Sequence, residues 1–358
     1  MKAKVAVLRT SPQTVIADYV RLMDLAGVRG ALDPKVPTIL KDNISWHFPF
    51  LSANTTPWQL EGTIQGLQKT GITDLLAVHN KTVVTNSPQG QKLCRLAPVY
   101  AKYKVVEKEN FNPEHTRWIT YQPKAKMDIL PRIYPEGITI PEIFVGKNIV
   151  HLPTLKTHIY TTSTGAIKNA FGGLLNTRRH YTHTYIHETI VDLLKIQKEI
   201  HPGIFATMDG AISGDGAGPR TMHPHITNLI LASADQVAID AVGTKLMGFD
   251  PMKVKYISMA HDQGLGVGDP SQIELVGDDV SGLNLHFKVE DNLVKKAANI
   301  LWFGPLKKTQ KLFFHTPLVY VFVMASFIYH DYLWWPFIGK SRMKPILKSE
   351  WGKLFQSY

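Results

Sequence analysis

Three short apolar runs in this chain each end in a lysine-bearing polar stretch, and that recurrence constrains the fold more than any other feature. The stretches are Ile39-Leu40-Lys41-Asp42-Asn43, Leu155-Lys156-Thr157-His158 and Thr164-Gly165-Ala166-Ile167-Lys168-Asn169. A further segment, Met208-Asp209-Gly210 through Asp215-Gly216-Ala217-Gly218-Pro219, reads as a glycine-rich acidic loop at the end of its own strand. Apolar runs of this kind, interleaved with amphipathic helices, are the pattern of βαβ units on a mostly parallel sheet. In such sheets ligands bind beyond the carboxyl ends of the strands. Lysines and glycine-backed amides there suit an anion such as a phosphate or carboxylate.

The alternation continues along the chain. Strands are expected at Val5 to Leu8, Val36 to Leu40, Asp74 to Val78, Asn148 to Leu152, Ile204 to Met208 and Leu229 to Ala232. Ser11 and Pro12 mark the start of a helix that Gly27 ends, and further helices are expected at 58–69 and 184–200. Ser233 and Gln236 have the spacing of a capping box for a helix running to Met247. The expected fold is therefore α/β, a mostly parallel sheet flanked by helices in one or two lobes. It occupies residues 1–285, with a proline-punctuated excursion at 106–145, a linker at 286–311 and a hydrophobic, basic tail at 312–358.

The net charge of +11 does not point to nucleic acid, because of where it lies. From Asp291 onward there are ten Lys/Arg against three Asp/Glu, in the most apolar part of the chain. That pairing fits an anionic membrane surface, and no nucleic-acid signature accompanies it. Between Lys311 and Lys340 only His315, His330 and Asp331 are ionisable near neutrality, while Tyr320, Tyr329, Tyr332, Trp334 and Trp335 suit an interfacial belt. Pro317 and Pro336 favour a monotopic or re-entrant element in 312–338 over a straight span. The opposing reading is a hydrophobic helix docked on its own domain. Met1 to Thr10 has no long apolar run of the signal-peptide kind, so the expected location is the cytoplasmic side of a membrane, peripheral or monotopic. Cys94 is the single cysteine, which excludes an intrachain disulfide and a cysteine-held iron–sulfur cluster.

Candidate catalytic residues are Lys156, His158, Lys168 and Asp209. Candidate ligand-binding residues are Lys41, Asn43, Thr164, Gly165, Asn169, Arg179, His187, Gly216 and Gly218. Lys156 and Lys168 can share a pocket if the Thr161-Thr162-Ser163 segment folds back. Asp209 and Asp215 either hold Mg²⁺ beside a phosphate, serve as a general base, or shape turns as Asp-Gly pairs do. His180, His183 and His187 have helical spacing, but Arg178 and Arg179 beside them suit an anion better than a cation. Asp240 reads either as a buried partner or as a solvated helix residue. The functional expectation is an anionic small molecule bound in this pocket by an enzyme at a membrane surface. The alternative is a non-catalytic binding protein or a subunit of a membrane redox complex.

The order LKDN, LPTLKTH, TGAIKNAFGG, a histidine-bearing helix with IVDLL, MDG…GDGAGP, NLILAS and VAIDAVGTKLMGFDP resembles the domain-of-unknown-function 362 family. The resemblance covers about residues 36–270, and the string from Leu152 to Pro251 carries most of it. It implies a shared fold and pocket rather than a reaction. Some relatives carry ferredoxin-like cysteine motifs, which Cys94 alone cannot reproduce. Members often have a glutamate near the second acidic position of the glycine-rich segment, where this chain has Gly214-Asp215.

Overall fold

The computed structural model describes residues 2–82, 84–290 and 316–358, together with residues 300, 304, 309, 312 and 313. Most of the expected linker, including Lys307, Lys308 and Lys311, lies outside the described residues, as does His315.

A ten-stranded sheet organises the molecule, with the order β12-β1-β11-β10-β7-β2-β3-β4 and with β8 and β9 attached to one side of β10. Its strands are β1 (Ala3–Arg9), β2 (Thr38–Asp42), β3 (Leu75–His79), β4 (Val106–Glu109), β7 (Asn148–Leu152), β8 (Thr154–His158), β9 (Thr162–Thr164), β10 (Ile204–Ala217), β11 (Thr221–Ser233) and β12 (Ile273–Gly277). A separate antiparallel pair, β5 (Trp118–Tyr121) and β6 (Ile138–Pro141), accounts for much of the irregular excursion. The β12/β1, β10/β7, β7/β2, β2/β3 and β3/β4 ladders are parallel, and β11 is the antiparallel exception within the main path. The sheet is mostly parallel, as the alternation of elements requires.

Both faces of the sheet are covered, so its central strands are apolar on both sides. Successive residues of β1 divide between the two faces: Ala6 and Leu8 join one core, Val5 and Val7 another. The first core takes the helices α1 (Val15–Leu25) and α2 (Pro57–Lys69). The opposite face takes α3 (Ala166–Asn169), α4 (Ile186–Ile200) and α5 (Gln236–Leu246).

Three local expectations need correction. Helix α1 begins at Val15, with Ser11 accepting from the Val15 amide through its backbone carbonyl rather than acting as the N-cap. Asp235, not Ser233, caps α5, its Oδ1 accepting from the amides of Val237 and Ala238 at 2.8 and 3.0 Å. The Ser233 hydroxyl instead donates to the Lys4 carbonyl at 2.6 Å. The acidic glycine-rich segment is not a loop. It is the second half of β10, paired with β11 as far as Ala217 and Thr221. Glycine is needed there for close approach, since a Cβ at Gly218 would lie 2.0 Å from the Thr157 carbonyl oxygen.

The C-terminal segment divides into two behaviours. Helix α6 (Val319–Phe327) runs into a π-helical stretch Ile328–Gly339, then α7 (Lys340–Lys348) and α8 (Glu350–Ser357). Trp334, Trp335, Met343, Ile346, Trp351 and Phe355 are buried in the first core. Trp46 packs against Trp334 and Trp335 at ring-centroid distances of 5.7 and 5.4 Å, and its Nε1 donates to the buried Asp331 carboxylate at 2.7 Å. Tyr358 closes the other end by donating to Glu61 at 2.6 Å. The second half of the tail is therefore packed on the domain, in the manner of the docked helix that was the opposing reading. Its first half leaves Tyr320, Val321, Met324, Tyr332 and Leu333 exposed. Trp46→Ala should cost about 3–5 kcal/mol in urea unfolding, because it removes an aromatic from a packed cluster and strips Asp331 of its donor. A loss below about 1 kcal/mol would show that the docked tail contributes little to stability.

Candidate cationic site

Residues from several segments meet at the carboxyl edge of the sheet, where β8 continues alongside β10 beyond the end of β7. Pro153 separates it from β7, after which β8 pairs with the distal part of β10, Lys156 lying opposite Gly214. The chain then folds back through β9, which sets Lys156 directly opposite Thr164. Helix α3 follows at once and carries Lys168 and Asn169. This is the fold-back that the Thr161-Thr162-Ser163 segment was expected to make.

The short helix α3 is anchored from below. Asp240, buried in α5, accepts from the amides of Ala166 at 2.6 Å and Ile167 at 3.2 Å. Burial pushes its carboxyl up to about 7, against the lowering effect of those two amides. Asp240 is thus a cap for α3, which settles the choice its sequence position left open. A second chain of buried contacts fixes Asn169. Its Nδ2 donates to the Lys41 carbonyl at 2.8 Å and lies 3.4 Å from His151 Nδ1. His151 Nε2 in turn lies 2.7 Å from Gln197 Oε1. Burial holds His151 neutral, down at about 3, so its Nδ1 accepts while its Nε2 donates. Asn169 therefore presents its carbonyl oxygen to the open space.

That space is a cavity of about 1230 Å³. Of the candidate residues, Lys41, Asn43, Lys156, Thr164, Gly165, Lys168, Asn169 and Arg179 line it. Lys81, Arg178 and Arg220 join them, and so do His180 and His183 from the three-histidine segment. Residues 177–185 are 3-10 helical, with an α-helix starting only at Ile186, so the three histidines do not share one α-helical face. His187 stacks on Tyr256 at 6.2 Å and does not reach the lining.

Five other expected residues also lie off the lining. His158 is buried beside it, its Nδ1 accepting from the Tyr160 amide at 3.2 Å. Gly216 and Gly218 serve the hairpin, with the Gly216 carbonyl accepting from the Thr157 hydroxyl at 3.0 Å. Asp209 points into the core, where it accepts from the Thr56 hydroxyl, from Trp58 Nε1 at 2.9 Å and from the Ala211 amide at 2.7 Å. Burial raises its carboxyl to about 6 despite those donors. Asp215 has separate neighbours, His225 at 2.7 Å and the Lys288 amide at 3.3 Å. Among the described residues no group of three or more His, Cys, Asp or Glu is placed to hold a metal ion. Asp209 and Asp215 do not fit the expected shared cation site, because each is saturated by donors of its own.

Charge balance is the property that sets this cavity apart. Seven cations line it, namely Lys41, Lys81, Lys156, Lys168, Arg178, Arg179 and Arg220, against Asp42 as the one carboxylate on the described lining. Asp42 is already committed. It lies 3.4 Å from His79 and 3.5 Å from Lys41, and it accepts from the Tyr100 hydroxyl at 3.2 Å. Burial alone would raise its carboxyl, yet His79 and Lys41 hold it down at about 2. His79 is correspondingly up at about 9: burial works against its charge, and Asp42 and Glu107 outweigh burial. Arg178 pairs with Glu136 at 2.7 Å. The deeper cations have neutral partners instead. Lys156 Nζ donates to the Ser45 hydroxyl at 2.9 Å and to the Ala53 carbonyl. Arg179 donates to the Lys81 carbonyl, and Arg220 Nε to the Ser45 carbonyl at 3.3 Å. Lys168 sits 5.6 Å from the centre of the Phe171 ring.

Desolvation registers directly on these groups. Burial, then the Lys168 charge, pushes Lys156 well below the ordinary lysine range. Burial and then Arg179 bring Lys168 down to about 8, and burial brings Arg179 and Arg220 to about 10. Sequence reasoning missed Lys81 and Arg220 because they arrive from distant segments. The signal for Arg220 was available, since it follows the Gly218-Pro219 turn that aims it at Ser45.

The positioning of α3 can be tested at Gly165. A Cβ there would lie 2.0 Å from Asp240 Oδ1, so Gly165→Ala must displace the cap. The expected outcome is a loss of about 1–3 kcal/mol in urea unfolding. A variant as stable as the parent would contradict the capping role.

The match to a curated relative is local. The chain is 30% identical over 131 residues to a thylakoid-associated protein of Synechocystis sp., covering 36% of this chain and 40% of that relative. No solved structure matches the chain significantly. The sequence model of the family described as Domain of unknown function (DUF362) matches residues 38–245. That span is more than half of the chain and contains β2, β7, β8 and β9, α3 and the whole β10–β11 hairpin, so the protein belongs to the DUF362 family.

Proposed function

We propose that the cavity binds an anionic small molecule, phosphate- or carboxylate-bearing, and that the protein is an enzyme acting on it at a membrane surface. The surplus of buried positive charge carries this reading. Burying a cation without a counter-charge is costly. Arg220 has the charge of Asp331 nearby, whereas the neutral hydrogen bonds to Lys156 and Arg179 do not supply one. An anion in the cavity does. It would bring the charge that the folded chain withholds and return the lysines toward their ordinary protonation.

The same groups suit chemistry on an oxyanion. Arginines and lysines fixed in a water-poor site stabilise charge that develops on transferring or leaving oxygens. Lys168, titrating near 8, is poised to give up a proton close to neutral pH. His183 is held neutral, down at about 4, mainly by burial, and can take one. Ser45, oriented by Asn43 Oδ1 at 3.0 Å, fixes Lys156 in turn.

The tail supports the proposed attachment to a membrane surface. No helix among the described residues is long and apolar enough to cross a membrane. Helix α6 and the π-helical stretch instead expose a row of apolar and aromatic side chains, with Tyr320, Val321 and Met324 more than half exposed. Lys340, Lys344 and Lys348 follow closely in sequence. An apolar face beside lysines is the composition of an element lying on anionic headgroups. The thylakoid association of the Synechocystis relative accords with that placement.

Pyrophosphate serves as the test anion. It should raise the melting temperature, since it binds the native state only. The pH dependence has a definite sign. Below about pH 8 Lys168 is already protonated and binding is strongest. Above it, binding must recruit a proton, so affinity falls with rising pH, by up to about tenfold per unit. Lys168→Met should abolish the stabilisation and leave the ligand-free protein at least as stable, because it removes a desolvated charge. Affinity that is flat from about pH 7 to about pH 9.5, or retained in Lys168→Met, would overturn the assignment.

A further inference from the structure

The cavity has two chemically different sides. Its floor is the cationic edge of the sheet, described above. Its other wall is the C-terminal segment, through Pro317, Val319, Phe322, Val323 and Tyr329, with Tyr160 packed against Val319 and Phe322. Helix α6 is apolar on both its inner and outer sides apart from Tyr320 and Ser326: Val323 and Phe322 line the cavity, while Val321 and Met324 are exposed and off its lining. A helix apolar on both sides belongs in a core or against lipid, not between water and a charged pocket. The volume adds a second argument. About 1230 Å³ exceeds what a bare phosphate fills and lies beyond the usual range of drug-sized sites. Anion recognition accounts for the floor and leaves the wall without a purpose.

We infer that the ligand is a phosphate-bearing amphiphile, whose head group rests on Lys156, Lys168, Arg179 and Arg220 and whose apolar chain lies along the inner face of α6. This rests on the proposed anion site and extends it to the class of molecule. Several cations with no committed carboxylate call for a multiply charged head, which favours phosphate or diphosphate over a carboxylate. The chain gains by leaving water for the α6 wall, so affinity should rise with its length. Such a molecule can come from solution or from the bilayer on which the outer face of α6 is proposed to rest.

The experiment uses the full chain and three probes: methyl phosphate, octyl phosphate and octanol. Octyl phosphate should bind at least tenfold tighter than methyl phosphate by calorimetry, and octanol should not bind measurably. Lys168→Met should remove binding of both phosphates, whereas Val323→Asp should weaken octyl phosphate to the level of methyl phosphate and leave the latter unchanged. Melting curves of each ligand-free variant confirm that it is folded. Equal affinity for the two phosphates would overturn the amphiphile and leave the anion site standing. Failure of both to bind would overturn the two readings together. The source is resolved with phosphatidylcholine vesicles containing phosphatidic acid, followed by native mass spectrometry of the recovered protein. Lipid carried off by the parent but not by Met324→Asp, with octyl phosphate binding intact in both, identifies the bilayer. Octyl phosphate binding without lipid capture by the parent overturns the bilayer source.

Discussion

A lysine or arginine placed in a protein interior must lose water, and only a nearby opposite charge restores most of what it loses. This chain places such groups together at the carboxyl edge of one sheet, then commits the one described carboxylate of the lining, Asp42, to His79, Lys41 and Tyr100. Much of the surrounding architecture holds that arrangement in place. The distal part of β10, extended by its hairpin with β11, gives β8 a partner beyond the end of β7 and so holds Lys156 at the edge. Asp240 caps α3, and the Gln197–His151–Asn169 chain fixes its end. These contacts are buried and directional, so they hold cations close together that would otherwise separate.

The second constraint is the docked tail. Trp46 and its neighbours Phe48 and Phe50 meet Trp334 and Trp335 in one aromatic cluster, and Asp331 is drawn in by Trp46 Nε1 and His47. That docking fixes where α6 emerges, and α6 completes the cavity. Stability and site are joined here: the cluster that anchors the C-terminal segment also positions the wall of the pocket.

The parts of this arrangement that sequence revealed are those set by local pattern. Strand exits located Lys41, Lys156 and Lys168 near one edge, although Lys41 and Lys156 proved to lie within their strands rather than beyond them. What sequence concealed depended on long-range pairing. Asp-Gly and Gly-Asp pairs read as turns, yet here they sit in a long hairpin where glycine permits tight packing against β8, so Asp209 and Asp215 moved from the expected pocket to separate surroundings. The apolar tail read as one membrane element because nothing local distinguishes a tryptophan bound for a bilayer from one bound for a core. Trp334 and Trp335 enter the core because Trp46, nearly three hundred residues earlier, waits for them.

The most direct measurement of the central claim is a crystal structure of the full chain soaked with tungstate, a heavy phosphate analogue located by its anomalous scattering. The account predicts a peak inside the cavity between the sheet edge and α6, placed so that the tungstate oxygens lie within about 3 Å of Lys168 Nζ and the Arg179 guanidinium. Tungstate bound elsewhere on the surface, with that position occupied by water alone, would contradict it.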